Sequence, residues 1–123
     1  VDKAESEPDI AFAVNRDGAK TVARAANDIG VPVIHISTDY VFDGTKTTAY
    51  VESDPTGPSS VYGRSKLEGE QAVFESTSNY AILRTAWVYS EYGSNFVKAM
   101  LRLNESRDEL NVVADQFGCP TSA

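Results

Sequence analysis

The stretch "VPVIHISTDYVFDG", residues 31–44, decides the fold. It opens on a short, continuous apolar run, the composition of a strand buried on both faces of a parallel sheet. Two hydroxyls, a carboxylate and a phenol follow at Ser37, Thr38, Asp39 and Tyr40. A plain turn needs only the later Asp43-Gly44. Polar groups packed at the carboxyl end of such a strand ask for a ligand, because open parallel sheets bind theirs at that edge.

Upstream, "SEPDIAFAVNRDGAKTVARAANDIG" (6–30) has the spacing of a helix. Ser6 is the expected cap, Pro8 sits in the first turn, and Gly30 with Pro32 closes it. Gly18 inside it signals either a tolerated defect or close packing against a neighbour. Downstream, residues 38–60 form a long polar loop, a feature that is usually functional or mobile in compact domains. "SSVYGRSKLEGEQAVFEST" (59–77) reads as a second helix, with Ser59 or Ser60 as cap. "YAILRTAWVY" (80–89) reads as a second buried strand, "SNFVKAMLRLNESR" (94–107) as a third helix and "ELNVVAD" (109–115) as a third strand. Helix and strand alternate throughout, which predicts an α/β fold with a doubly wound parallel sheet covered by helices.

Composition excludes several classes. The 123 residues make one domain at most, with a formal net charge of -7 and a sequence pI of about 4.6. Lys and Arg are scattered, so no basic stripe is present for a nucleic-acid backbone. No apolar run approaches the ~20 residues of a membrane span. The one cysteine, Cys119, cannot form an internal disulfide and suits a reducing, cytoplasmic setting. The one histidine, His35, lies mid-strand, where a core or sheet-face role is expected. A Cys/His metal site is not available from one of each. A Mg²⁺ site built from carboxylates stays open.

The second helix carries "YGRSK", Tyr62 to Lys66. Positions i and i+4 share a helix face, about 5–6 Å apart at Cβ. There an ammonium can lower the pKa of a phenol and fit it to act as a general acid. A Tyr and a Lys at this spacing, taken alone, are more readily a half-buried Tyr followed by a surface Lys. The setting adds to them: the helix starts from the loop on the same sheet edge as Thr38, so the hydroxyl and the Tyr/Lys pair can converge on one carbonyl oxygen.

"VDKAESEP", "AVN", "AANDIGVPVIHISTDYVFDG", "VYGRSKLEGE", "ILRTAWVY", "NFVKAMLRL" and "VVADQFGCPT" occur in this order across the chain. In these segments the sequence resembles the extended short-chain dehydrogenase/reductase family. The resemblance implies a Rossmann-type NAD(P)-binding fold. It also implies reduction of the C4 ketone of a dTDP-6-deoxy-hexulose, with NADPH or NADH as reductant. Thr38 would hold the ketone oxygen, Tyr62 would donate the proton, and Lys66 would lower its pKa and contact the nicotinamide ribose. Asp39, Tyr40 and Trp87 would meet the substrate. Trp87, as a lone aromatic at a strand end, is equally read as core. A bound Mg²⁺ and a homodimer are further expectations of the full-length enzyme. "DQFGCPT" would return toward the active site. Two other functions stay open: a non-catalytic, nucleotide-binding regulatory subunit, and a nucleotide-sugar epimerase or dehydratase of the same superfamily. The hydroxyl–Tyr–Lys set favours an enzyme over the first, and "STDYVFDG" followed by "TAWVY" leans away from the second.

No Gly-rich phosphate loop occurs in the sequence. The chain therefore reads as the central portion of a doubly wound sheet. The amino-terminal cofactor half and the carboxyl-terminal substrate part are expected elsewhere. For the 123 residues alone, this implies no reductase activity, no nicotinamide binding tighter than millimolar, and self-association through an unpaired strand edge.

Overall fold

The computed structural model describes residues 1–123, which divide into two compact units, Val1–Arg84 and Thr85–Ala123. In the first unit a helical run leads into a strand–helix–strand crossover. The run comprises α1 (Asp2–Ser6), α2 (Pro8–Phe12), a π-helical segment (Ala13–Gly18) and α3 (Ala19–Asp28). Strand β1 (Val33–Thr38) follows, then a 3₁₀ turn (Asp39–Val41), α4 (Val61–Ser76) and β2 (Tyr80–Thr85), which pairs with β1.

The helical run starts earlier than its spacing predicts, and it is broken. Glu7 leaves the helical region at φ -131° and ψ 57°, and Pro8 starts a new helix. Proline excludes the α conformation from the residue before it. Ser6 is therefore no cap: it ends α1 and its hydroxyl donates to the Lys3 carbonyl at 3.1 Å. Gly18 has only ordinary contact, with the Ala13 carbonyl 3.7 Å from where a Cβ would stand, so the reading as a tolerated defect holds. Close approach falls instead to Gly69 of α4, where a Cβ would lie 2.2 Å from the Asn15 carbonyl in the π-helical segment. A π turn widens the helix, and such turns recur at functional sites.

Ala23 of α3, Val33 of β1 and Val73 of α4 form the core, with Ala19, Ala26 and Tyr80 packed around them. Residues 33, 35 and 37 of β1 face the helices, as strand alternation requires. The expectation that β1 is buried on both faces is not met: Ile34 and Ile36 are 69% and 52% exposed. Within this unit the helices cover one face and nothing covers the other. A partly buried ion pair ties α4 to β2. Arg84 donates to both carboxylate oxygens of Glu70, at 2.9 and 2.6 Å, and its guanidinium sits 4.9 Å over the Phe42 ring.

The long loop is buckled rather than loose. Asp43 accepts from the Thr45 amide and hydroxyl and from the Tyr50 hydroxyl, while Phe42 stacks on Tyr50 at 4.2 Å. The Gly57 amide returns to the Val41 carbonyl at 3.0 Å, which brings the chain back to the start of α4.

In the second unit, β3 (Val88–Tyr89) pairs in parallel with β4 (Thr121–Ser122), in the register Val88 to Thr121 and Tyr89 to Ser122. Helix α5 (Phe96–Asn104) is capped by Asn95, whose side chain accepts from the Lys98 amide at 3.1 Å. The expected strand over 80–89 is split, because Trp87 takes a left-handed backbone conformation at φ 46°. The expected strand over 109–115 does not form. A strand needs a neighbour's ladder of hydrogen bonds, no strand pairs with this segment, and Val112 and Val113 lie exposed.

Candidate active site

Thr38 is the last residue of β1 and is buried. Its hydroxyl oxygen accepts from the Tyr40 amide at 3.2 Å and so caps the 3₁₀ turn. Its proton goes to Asp39 Oδ1 at 3.1 Å. The polar cluster after the strand is therefore a fixed structure, with Thr38 at its centre.

Tyr62 is brought to that cluster by the start of α4. Ser60 caps the helix by accepting from the Gly63 amide at 3.0 Å, and Glu5 of α1 accepts from the Val61 amide at 2.7 Å. Gly63 then allows contact that no other residue permits: a Cβ there would stand 2.2 Å from the Tyr40 carbonyl and 3.0 Å from the Pro58 Cβ. The helix start is thus pressed against the 3₁₀ turn. Tyr62 meets the Tyr40 ring edge-on at 5.9 Å, which sets it beside the turn that Thr38 caps. Ser65, fully buried, donates to the Tyr62 carbonyl at 2.8 Å and accepts from the Asn15 side chain at 2.9 Å.

Lys66 is one turn along from Tyr62 on the same helix. Its ammonium donates to the Ile36 carbonyl at 2.7 Å. Burial, with the Asp39 charge and Tyr40 adding to it, holds the Tyr62 phenol above its ordinary value, and the bond with Thr38 opposes them. Lys66 is not among the groups that shift the Tyr62 phenol here. A charge-assisted bond to a backbone carbonyl takes the ammonium, and a neutral phenol offers it less. Burial holds the Lys66 ammonium itself below its ordinary value, against the pull of Glu70. One of its three donors is bound to Ile36, and the other two suit a vicinal diol such as a ribose.

The structure therefore brings together Thr38, Asp39, Tyr40, Tyr62 and Lys66 in the first unit. Trp87 belongs to the second. Its ring is half exposed, and Gly118 lies against it: a Cβ there would be 2.8 Å from the indole. The "DQFGCPT" segment is held beside Trp87 by Thr121, whose hydroxyl donates to the Ala86 carbonyl at 2.8 Å and whose amide donates to the Trp87 carbonyl at 3.3 Å. Cys119 is exposed and unpaired. His35 faces Gly69 and keeps a buried Nε2 with no hydrogen-bond partner. No group of three or more His, Cys, Asp or Glu is placed to hold a metal ion.

The family model described as RmlD substrate binding domain matches residues 1–123. The chain belongs to this family. It is 71% identical to the dTDP-4-dehydrorhamnose reductase of Sinorhizobium fredii, over 100% of this chain and 42% of that one. Among solved structures it resembles the dTDP-4-dehydrorhamnose reductase of Bacillus anthracis in complex with NADP, at a TM-score of 0.97 and 48% identity, covering 99% of this chain and 43% of that one. The corresponding reductase of Clostridium acetobutylicum matches at a TM-score of 0.96 and 48% identity, covering 99% and 43%. The α/β fold expected from the alternation of elements, and the Rossmann type that the resemblance implies, agree with these structures. The chain spans about two-fifths of the length of the curated relatives it matches.

Proposed function

We propose that this chain carries the proton-donating part of an NAD(P)H-dependent reductase that converts dTDP-4-dehydrorhamnose to dTDP-rhamnose. The observation that carries the reading is the placement of Tyr62 against the 3₁₀ turn that Thr38 caps at the carboxyl end of β1, fixed by the Gly63–Tyr40 approach. Its neighbours named as dTDP-4-dehydrorhamnose reductases support the substrate, and the NADP complex among them supports the cofactor.

A reduced nicotinamide, when bound, supplies the hydride. The two ammonium donors left on Lys66 would hold its ribose. Negative charge then develops on the ketone oxygen, where donors already in place stabilise it. Thr38 hydrogen-bonds that oxygen, and Tyr62 gives it a proton: the phenol O–H bond breaks and the alcohol O–H bond forms. The raised Tyr62 pKa keeps the donor protonated through neutral pH. Asp39, Tyr40 and Trp87 are proposed as substrate contacts, and the dTDP-sugar as the one small-molecule partner. A cytoplasmic setting is proposed on the free thiol of Cys119. Mg²⁺ finds no support in the residues present and forms no part of the reading.

The test is turnover by the full-length gene product. Tyr62→Phe should lower kcat by at least ~10²-fold and leave KM nearly unchanged. A Tyr62→Phe enzyme that keeps most of its activity removes Tyr62 from the chemistry.

A further inference from the structure

We propose that Thr121 and Gly118 are positioning residues for Trp87. Thr121 pins the two peptide planes that flank Trp87, Gly118 makes room for its indole, and together they present the ring to the substrate. This rests on the reading of Trp87 as a substrate contact. Trp87 stands between β2, which ends at Thr85, and β3, which starts at Val88, with φ at 46°. It is the one non-glycine residue of the chain at positive φ, where a side chain this bulky is an outlier. Such a conformation persists only where its surroundings over-determine it, and residues held this way cluster at ligand clamps. The alternation of faces along a strand is interrupted here, so this one backbone step decides where the ring points.

A residue's φ and ψ are rotations of its Cα against the peptide plane before it and the plane after it. The plane before Trp87 carries the Ala86 carbonyl, which accepts from the Thr121 hydroxyl at 2.8 Å. The plane after it carries the Trp87 carbonyl, which accepts from the Thr121 amide at 3.3 Å. One residue thus holds both planes. The same hydroxyl oxygen accepts from the Ala86 amide at 3.4 Å. The amide bond belongs to the pairing of β4 with β3, and any residue but proline would supply it. The hydroxyl bonds are different, because at this side-chain length only threonine or serine supplies them. Gly118 acts on the ring itself. A Cβ there would lie 2.8 Å from Cε2, 3.1 Å from Cζ2 and 3.2 Å from Nε1 of the indole, so any other residue would push the ring aside. Pro120, between the two, has its φ fixed by its own ring, which stiffens the link from Gly118 to Thr121.

Thr121→Val keeps the branched shape and the amide bond and removes the hydroxyl. Thr121→Ser brings the hydroxyl back, and Gly118→Ala adds the methyl that meets the indole. Each is made in the full-length protein and read without substrate by near-ultraviolet circular dichroism against its own Trp87→Phe partner, so that the difference belongs to one indole. An indole fixed by packing gives a band that is lost when the packing is lost. Thr121→Val should lose most of the Trp87 band, Thr121→Ser should keep it, and Gly118→Ala should alter it. Turnover of dTDP-4-dehydrorhamnose then reads the use of the pose. Thr121→Val and Gly118→Ala should raise KM about ten-fold and change kcat by less than about two-fold, with Thr121→Ser restoring KM. A Trp87 band left intact by Thr121→Val, or lost equally in Thr121→Ser, overturns the proposal. Should Thr121→Val fail to fold, Gly118→Ala decides, and an unaltered band there overturns it. A band lost as expected with KM unchanged leaves Thr121 and Gly118 as the holders of Trp87 and overturns the separate reading of Trp87 as a substrate contact.

Discussion

Replacing Gly63 by alanine tests how the site is built, because one methyl group is aimed at one backbone atom. The new Cβ would stand 2.2 Å from the Tyr40 carbonyl oxygen, and real Cβ contacts essentially never fall below 3.0 Å. The obstacle is backbone, so no side-chain rotation relieves it. Either the first turn of α4 or the 3₁₀ turn must withdraw, and Tyr62 is next to the one and Thr38 borders the other. Overpacking of this kind costs about 1–3 kcal/mol, and a rigid backbone neighbour puts it at the upper end. The helix propensity of alanine returns up to ~1 kcal/mol, leaving a net loss of about 2 kcal/mol. Gly18→Ala is the internal control. Its nearest neighbour stands at 3.7 Å, so the propensity gain acts alone and the variant should be neutral or more stable by up to ~1 kcal/mol. Denaturant unfolding of the full-length protein measures both. Since a misplacement on the order of 1 Å can cost ~10²-fold in rate, Gly63→Ala should also lose about that factor in kcat/KM, with Gly18→Ala unaffected. A Gly63→Ala protein as stable and as active as Gly18→Ala would refute the account of how Tyr62 is placed.

Trp87→Ala should raise KM more than it lowers kcat, while stability falls by less than ~1 kcal/mol, since the ring is half exposed. A stability loss of about 3–5 kcal/mol with KM intact would return Trp87 to the core. His35 supplies a pH test. Its imidazole is held below its ordinary value by burial first and the Lys66 charge second, against Glu70. A folded value below the unfolded one gives stability that is present above about pH 6.5 and is lost as pH falls through the folded value. Denaturant midpoints of the wild type should therefore drop more between about pH 7.5 and about pH 5 than those of His35→Gln. Equal drops would show that His35 is not the group involved.

The elements that the sequence made legible are those fixed by local chemistry. Ser60 is a cap because its hydroxyl reaches the Gly63 amide, and the strand ending at Thr38 is marked by the change from apolar to polar residues. Tyr62 and Lys66 were legible from i, i+4 spacing, but what each touches was not. Lys66 turns to the Ile36 carbonyl, a partner 30 residues away in the chain, which no helical spacing discloses. Gly63 and Gly69 carry the closest packing, whereas Gly18 drew attention first. All three look alike in sequence, and only the neighbouring helix and turn distinguish them. The two valines of 109–115 have strand propensity and no strand beside them. Trp87 reads as one residue in a continuous strand, and its positive φ and its neighbours Gly118 and Thr121, some thirty positions later, are not written in the local pattern.

The most direct test of the central claim is to trace the hydride. The full-length gene product is given dTDP-4-dehydrorhamnose and NADPH deuterated at the transferable position, and the sugar product is examined by NMR and mass spectrometry. The account predicts a dTDP-rhamnose heavier by one deuteron, with the deuterium at C4, formed by the wild type and lost to at least ~10²-fold in rate in Tyr62→Phe. A product without deuterium at C4, or one formed equally fast without the Tyr62 hydroxyl, would contradict it.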